Sequence, residues 1–168
     1  GVMYRYQPKT KEASLTAAFE HNFAKYMGLK HAVGPNSCGS AMFIALNIAG
    51  VQPGDKILTN AFTFHAVPSV IQHARAVPVL VESNRDWGMD AEDLDRKAAA
   101  SGAKVLLMSY MRGHVPDMDA VMDVVRKHNL IFIEDSSYFF HGGYILKLKR
   151  KQFYYLLLLI FSYPVIYY

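Results

Sequence analysis

The residues best suited to chemistry fall in four short stretches, each following an apolar run. The first is Gly34-Pro35-Asn36-Ser37-Cys38-Gly39-Ser40-Ala41, a small-residue loop that feeds a helical segment. Unpaired N–H groups at a helix start, the helix dipole and the Ser37 and Ser40 hydroxyls together make a cradle for a phosphate group. The spacing from Gly34 to Gly39-Ser40 imitates a P-loop, but the lysine that meets the outer phosphates is missing, which disfavours a nucleoside triphosphate. An ordinary strand-to-helix turn with a serine cap has the same composition, so the loop alone does not decide between the two. The second stretch is Asn60-Ala61-Phe62-Thr63-Phe64-His65, where two aromatics could stack on a planar ligand or simply join the core. The third, Tyr110-Met111-Arg112-Gly113-His114, reads as a polar, solvated loop. The fourth is the pair Glu134-Asp135 behind Ile131-Phe132-Ile133. A carboxylate at the end of a buried strand needs a partner: a helix cap, a nearby base or a cationic ring nitrogen.

Something must hold these stretches together. Apolar residues Leu15, Ala18, Phe19, Phe23 and Tyr26 recur at helical spacing over 14–27, with Ser14 as N-cap and Gly28 as stop. The apolar step His31-Ala32-Val33 reads as a short strand. Helices are expected over 39–49, 66–75, 90–101 and 117–128, and strands over 56–59, 77–81, 105–108 and 130–133. The helix over 39–49 is apolar nearly all round, which implies burial on most faces. The helix opened by Asp90 is acidic first and basic later, which suits the macrodipole. Short Val/Ile/Leu runs separated by helices describe an α/β three-layer sandwich with a mostly parallel sheet. In such a sheet ligands bind beyond the carboxyl ends of the strands. Cradle, aromatic platform and carboxylate all fall on that edge, and a phosphorylated aromatic molecule containing nitrogen would engage all three.

The chain has 168 residues, 52% hydrophobic and 19% charged, which suffices for a domain with a real core and excludes intrinsic disorder. Its one cysteine, Cys38, excludes a disulfide framework and a multi-cysteine zinc site, and no metal site is expected. A reducing, cytoplasmic setting follows. Gly1 stands where a start methionine would, and no basic-then-apolar leader is visible, so the expectation is no signal peptide and a natural start further upstream. The net charge of +4 is confined to one place. Residues 1–135 hold 14 bases and 14 acids, whereas 136–168 hold four bases and no acid. The body therefore has no nucleic-acid signature. Residues 144–168 form a separate tail: the basic run Lys147-Leu148-Lys149-Arg150-Lys151, then the nearly uninterrupted apolar run 153–168. That run has 16 residues, against the roughly 20 that a spanning helix needs, and Pro164 interrupts it, so a membrane span is not favoured. A tail foreign to the domain, from read-through or a shifted frame, explains the composition better than an anchor.

The ordered motifs of the body resemble those of the DegT/DnrJ/EryC1/StrS aminotransferases, sugar-modifying enzymes of pyridoxal-phosphate fold type I. The family's Phe-Glu…Phe-Ala-x-Tyr-x-Gly opening is similar to Phe19-Glu20…Phe23-Ala24-Lys25-Tyr26-Met27-Gly28. Its Asn-Ser-Gly-Thr-Ala-Ala-Leu loop resembles Asn36-Ser37-Cys38-Gly39-Ser40-Ala41-Met42. Its Pro-Gly-Asp-Glu-Val step, Thr-Phe segment, Gly-x-x-x-Asp-Met-Asp and Glu-Asp resemble 53–57, Thr63-Phe64, 113–119 and Glu134-Asp135. The resemblance implies pyridoxal 5'-phosphate as cofactor. Its phosphate would lie on Cys38, Gly39 and Ser40, its ring on Phe64, and its pyridinium nitrogen against Asp135, whose charge would keep the ring protonated as an electron sink. The implied reaction moves an amino group from an amino acid donor to a keto-sugar nucleotide, in a homodimer when the enzyme is complete. Departures are plain: Cys38-Gly39 replaces the usual Gly-Thr, and Tyr138 stands where the family has Gln or His. No Schiff-base lysine is found, since Lys147, Lys149 and Lys151 lie in the basic run. Residues 1–143 thus read as the first part of the cofactor domain, inactive alone. A non-catalytic or tail-anchored degenerate module, or another α/β enzyme using the 34–40 loop for a different phosphate, are the competing readings.

Overall fold

A computed structural model describes residues 15–27, 29–137 and 156–158. The chain divides into two compact units, Gly1–Asn36 and Ser37–Tyr168. In the first unit, helix α1 spans Leu15–Met27. Its expected cap and stop, Ser14 and Gly28, lie outside the described residues. The Gly34 N–H donates to the Glu20 carboxylate at 2.7 Å. His31-Ala32-Val33 is not a strand: it is irregular, and Val33 is 62% exposed. A strand exists only where a neighbour completes its hydrogen bonds, and an apolar step of three residues cannot supply one.

The second unit carries the sheet. In chain order it comprises α2 (Cys38–Ile48), β1 (Lys56–Asn60), α3 (Ala66–His73), β2 (Val77–Val81), α4 (Ala91–Ser101), β3 (Val105–Ser109), α5 (Met118–Lys127), β4 (Ile131–Asp135) and β5 (Leu156–Leu158). A 3-10 turn, Met111–Gly113, separates β3 from α5. The strands lie in the order β2-β1-β3-β4-β5, and all pairings are parallel. Within the apolar run of the tail, Leu156–Leu158 thus adds a strand beside β4. The basic run, the rest of the tail and the boundary at 143/144 lie outside the described residues. Among the described residues no helix is long and apolar enough to cross a membrane.

Alternation along the strands divides the core in two. Leu58, Leu106, Met108 and Phe132 pack with α4 and α5 residues such as Leu94, Val121 and Val125. Their neighbours Ile57, Val105, Leu107 and Ile133 pack with Met42, Leu46, Val67 and Ile71 of α2 and α3. Successive strand side chains point to opposite faces, so each β run serves both layers. This is the expected three-layer α/β sandwich.

Two helices differ from expectation. On α2 the residues Ala41, Met42, Ala45 and Leu46 are buried, but Ile44 and Ile48 are 42% and 70% exposed, so one side is open. On α4 the acids stand in the first turn and the bases later, as expected, but no base reaches the last turn. Arg96 and Lys97 sit mid-helix and pair with Asp93, which is stronger than an interaction with the distant helix end. Asp90 caps α4 and Asp117 caps α5, each accepting two backbone N–H groups.

Candidate active site

The carboxyl ends of β1, β3 and β4 and the start of α2 meet at one edge of the sheet. Ser37 caps α2 from an extended backbone, φ −162° and ψ 163°. Its Oγ accepts the Ser40 N–H at 3.1 Å and donates to Ser40 Oγ at 2.9 Å, while its carbonyl accepts the Ala41 N–H at 3.0 Å. Among the described residues, the N–H groups of Cys38 and Gly39 are left as the free donors of the first turn. A Cβ on Gly39 would find nothing nearer than Ser37 Oγ at 4.0 Å, so the space above these donors is open to a ligand.

Asp135 ends β4 at 4% exposure. It lies within the strand rather than behind it, in register with Ser109 of β3, whose N–H donates to Asn60 Oδ1 at 2.9 Å. Two residues beyond Ile133, its side chain shares the α2 side of the sheet, and there it meets Cys38. The thiol lies 3.5 Å from Asp135 Oδ1 and 2.9 Å from Ser137 Oγ. Ser137 donates twice to the same Oδ1, through its hydroxyl and through its N–H at 3.1 Å. Among the described residues no donor and no cation reaches Oδ2. Neither a helix cap nor a salt bridge therefore accounts for this carboxylate. Burial, and then the Asp135 charge, pushes the Cys38 thiol up from 9.0 to about 11, against the pull of the Ser137 bond. The thiol stays protonated at neutral pH.

Glu134, one residue earlier, points to the other side. Burial pushes its carboxyl up, opposed by hydrogen bonds with Tyr110 and Ser136. Strand alternation thus decides which of two adjacent acids faces the cradle.

Gly39 and Ser40 line a groove of about 520 Å³ with Phe43, His65, Ala66, Ser69, Val70 and His73. Phe64 is 45% exposed and packs on His65, ring centroids 4.2 Å apart. No hydrogen bond or ring contact joins Phe64 to Asp135 among the described residues. Phe62, the other candidate platform, is taken up by Trp87 at 5.1 Å. Arg112 and His114 are exposed, as expected of a solvated loop. Sequence reasoning missed Ser137 and Asn60. The Asp-x-Ser spacing of 135–137 was a usable signal, because an aspartate readily accepts the N–H two residues on.

The model of the DegT/DnrJ/EryC1/StrS aminotransferase family matches residues 7–142. The chain belongs to this family. It is 34% identical over 120 residues to GDP-perosamine synthase of Caulobacter vibrioides, covering 71% of this chain and 32% of that protein. Among solved structures it resembles DesV of S. venezuelae in complex with a ketimine intermediate, at TM-score 0.69 and 32% identity, covering 76% of this chain and 34% of that one. It also resembles the PLP-form of Spr1654 from Streptococcus pneumoniae, at TM-score 0.65 and 28% identity, over 78% of this chain and 36% of that one. The chain thus spans about a third of the length of the relatives it matches. DegT/DnrJ/EryC1/StrS proteins are pyridoxal-phosphate-dependent aminotransferases. The residues of this chain fit that cofactor: an open helix start for an anion, and a buried carboxylate whose Oδ2 has no partner among the described residues and could accept a cationic N–H.

Proposed function

We propose that this chain is the cofactor-holding first part of an aminotransferase that moves an amino group from an amino acid to a keto-sugar nucleotide. One observation carries the reading: Asp135, buried at 4% exposure beside the start of α2, keeps Oδ2 without a partner among the described residues. A pyridinium N–H donating to that oxygen would make a charge-assisted hydrogen bond in a shielded setting. Pyridoxal 5'-phosphate, when bound, supplies an electron sink for the bonds broken at the amino carbon. The chain's residues do the rest. The Cys38 and Gly39 N–H groups and the Ser40 hydroxyl hold the phosphate end, Phe64 covers the ring, and Asp135 keeps the ring nitrogen protonated. The keto-sugar nucleotide is supported by the similarity to GDP-perosamine synthase.

Residues 1–143 belong to the cofactor domain and 144–168 to a tail of separate origin. The Schiff-base lysine is not among them, so the chain by itself is inactive, and the complete enzyme works as a homodimer. Its single cysteine, held as a free thiol, accords with a cytoplasmic setting. The test is to titrate the chain with pyridoxal 5'-phosphate, reduce with borohydride and map the product. Binding without a unique reduced lysine adduct is the expected result. A single modified lysine would restore a complete catalytic set, and no binding at all would overturn the cofactor reading.

A further inference from the structure

The cluster Cys38–Ser137–Asp135 joins the first residue of α2 to the turn after β4, ninety-seven residues apart along the chain. Among the described residues, every donor to the Asp135 carboxylate arrives at one oxygen. Ser137 gives Oδ1 its N–H and its hydroxyl, and the Cys38 thiol lies against both. The Cys38 thiol donates to Asp135 Oδ1 at 3.5 Å and lies 2.9 Å from Ser137 Oγ, a contact in which either group can donate. A carboxylate can rotate about its Cα–Cβ and Cβ–Cγ bonds, and donors gathered on one oxygen remove that freedom. We propose that Cys38 and Ser137 are positioning residues that lock Asp135 through Oδ1 and so present Oδ2 to the cofactor's ring nitrogen. This rests on the cofactor reading above and adds to it residues that touch neither the substrate nor the ring nitrogen. Cys38 then has two distinct duties at one position: its backbone N–H serves the phosphate end and its side chain serves the carboxylate.

The proposal is tested on the full chain by two measurements. With carbon-13-labelled aspartate, the Asp135 carboxyl resonance, assigned by Asp135→Asn, is compared at pH 7 between the unaltered cofactor-free chain and its variants. Losing a donor alters the hydrogen bonding at Oδ1, so Cys38→Ala and Ser137→Ala each shift the Asp135 carboxyl resonance, and Cys38→Ser, which restores a donor, brings it back. Affinity for pyridoxal 5'-phosphate is read from quenching of the sole tryptophan, Trp87. Cys38→Ala weakens binding about tenfold and Cys38→Ser less than about threefold. Alanine variants whose Asp135 resonance and cofactor affinity match those of the unaltered chain would overturn the positioning role while leaving the cofactor reading intact. Failure of the unaltered chain to bind would overturn both. A loss of binding in Cys38→Ala that Cys38→Ser does not rescue, with the Asp135 resonance unmoved, would assign Cys38 to packing alone and so reject the proposal.

Discussion

Glu134 and Asp135 are adjacent, chemically alike and placed on opposite sides of one strand, so substitution should separate their roles sharply. Asp135→Asn removes the charge that meets the ring nitrogen, and pyridoxal 5'-phosphate affinity should fall at least about tenfold. Glu134→Gln, on the far side of the sheet, should stay within about twofold, because a neutral amide suits a buried carboxyl whose ionisation is already disfavoured. Equal losses in the two variants would show that the alternation does not govern the site. Cys38 gives an independent readout. A rise from 9.0 to about 11 lowers the thiolate fraction about a hundredfold at neutral pH, so alkylation by iodoacetamide should be slow and accelerate up to about pH 11. Asp135→Asn removes a charge that opposes ionisation, and should speed labelling. The sign for stability follows from the same shift. The folded chain keeps this proton to higher pH than the unfolded chain, so the contribution is full below pH 9.0 and is lost between there and about 11.

Helix α4 is tied to the sheet by one acid. Asp93 is buried and accepts the Glu82 N–H at 2.8 Å, just beyond β2, while Lys97 at 2.7 Å and Arg96 supply positive charge. Burial alone would raise its carboxyl; the backbone bond and the two bases outweigh it and hold the group below its usual 3.8. Asp93→Ala leaves the Glu82 N–H without its acceptor and should cost about 1–3 kcal/mol in urea unfolding. Asp117→Ala, which removes only the cap of α5, should cost about 1 kcal/mol. The Asp93 contribution is present above pH 3.8 and disappears as the pH drops through its lower folded value. A urea series at pH 7 and pH 3 should therefore show the Asp93→Ala deficit shrinking in acid. These elements were legible before any coordinates: Asp90 and Asp117 precede apolar helical patterns, and both cap. His31-Ala32-Val33 was misread, because a short apolar step signals a strand only when a partner lies alongside, and partners are set by the fold.

For the molecule as a whole, exposed apolar side chains are the feature to test. Ile44 and Ile48 stand one turn apart on the open side of α2, and Val77 and Leu80 of the edge strand β2 are about half exposed at 49% and 47%. Contiguous apolar surface and an unpaired strand edge both promote association. Sedimentation velocity should show the chain associating as its concentration rises. The double substitution Ile44→Lys/Ile48→Lys should shift it toward monomer without lowering its unfolding midpoint, since neither side chain is buried in the core. Unchanged association would place the contact surface elsewhere.

The order of the helices and of β1 to β4, the sandwich class and the loops bearing Cys38, Gly39, Ser40, Phe64 and Asp135 came from the chain's own pattern, because periodicity, caps and small-residue turns are local properties. Tertiary structure alone decided the rest. The register of β3 against β4 brings Asp135 level with Ser109, and strand parity turns Asp135, not Glu134, toward α2. The packing of α2 on that side sets a thiol from position 38 beside a carboxylate from position 135. Contacts across ninety-seven residues depend on how layers stack, and no local spacing encodes that distance.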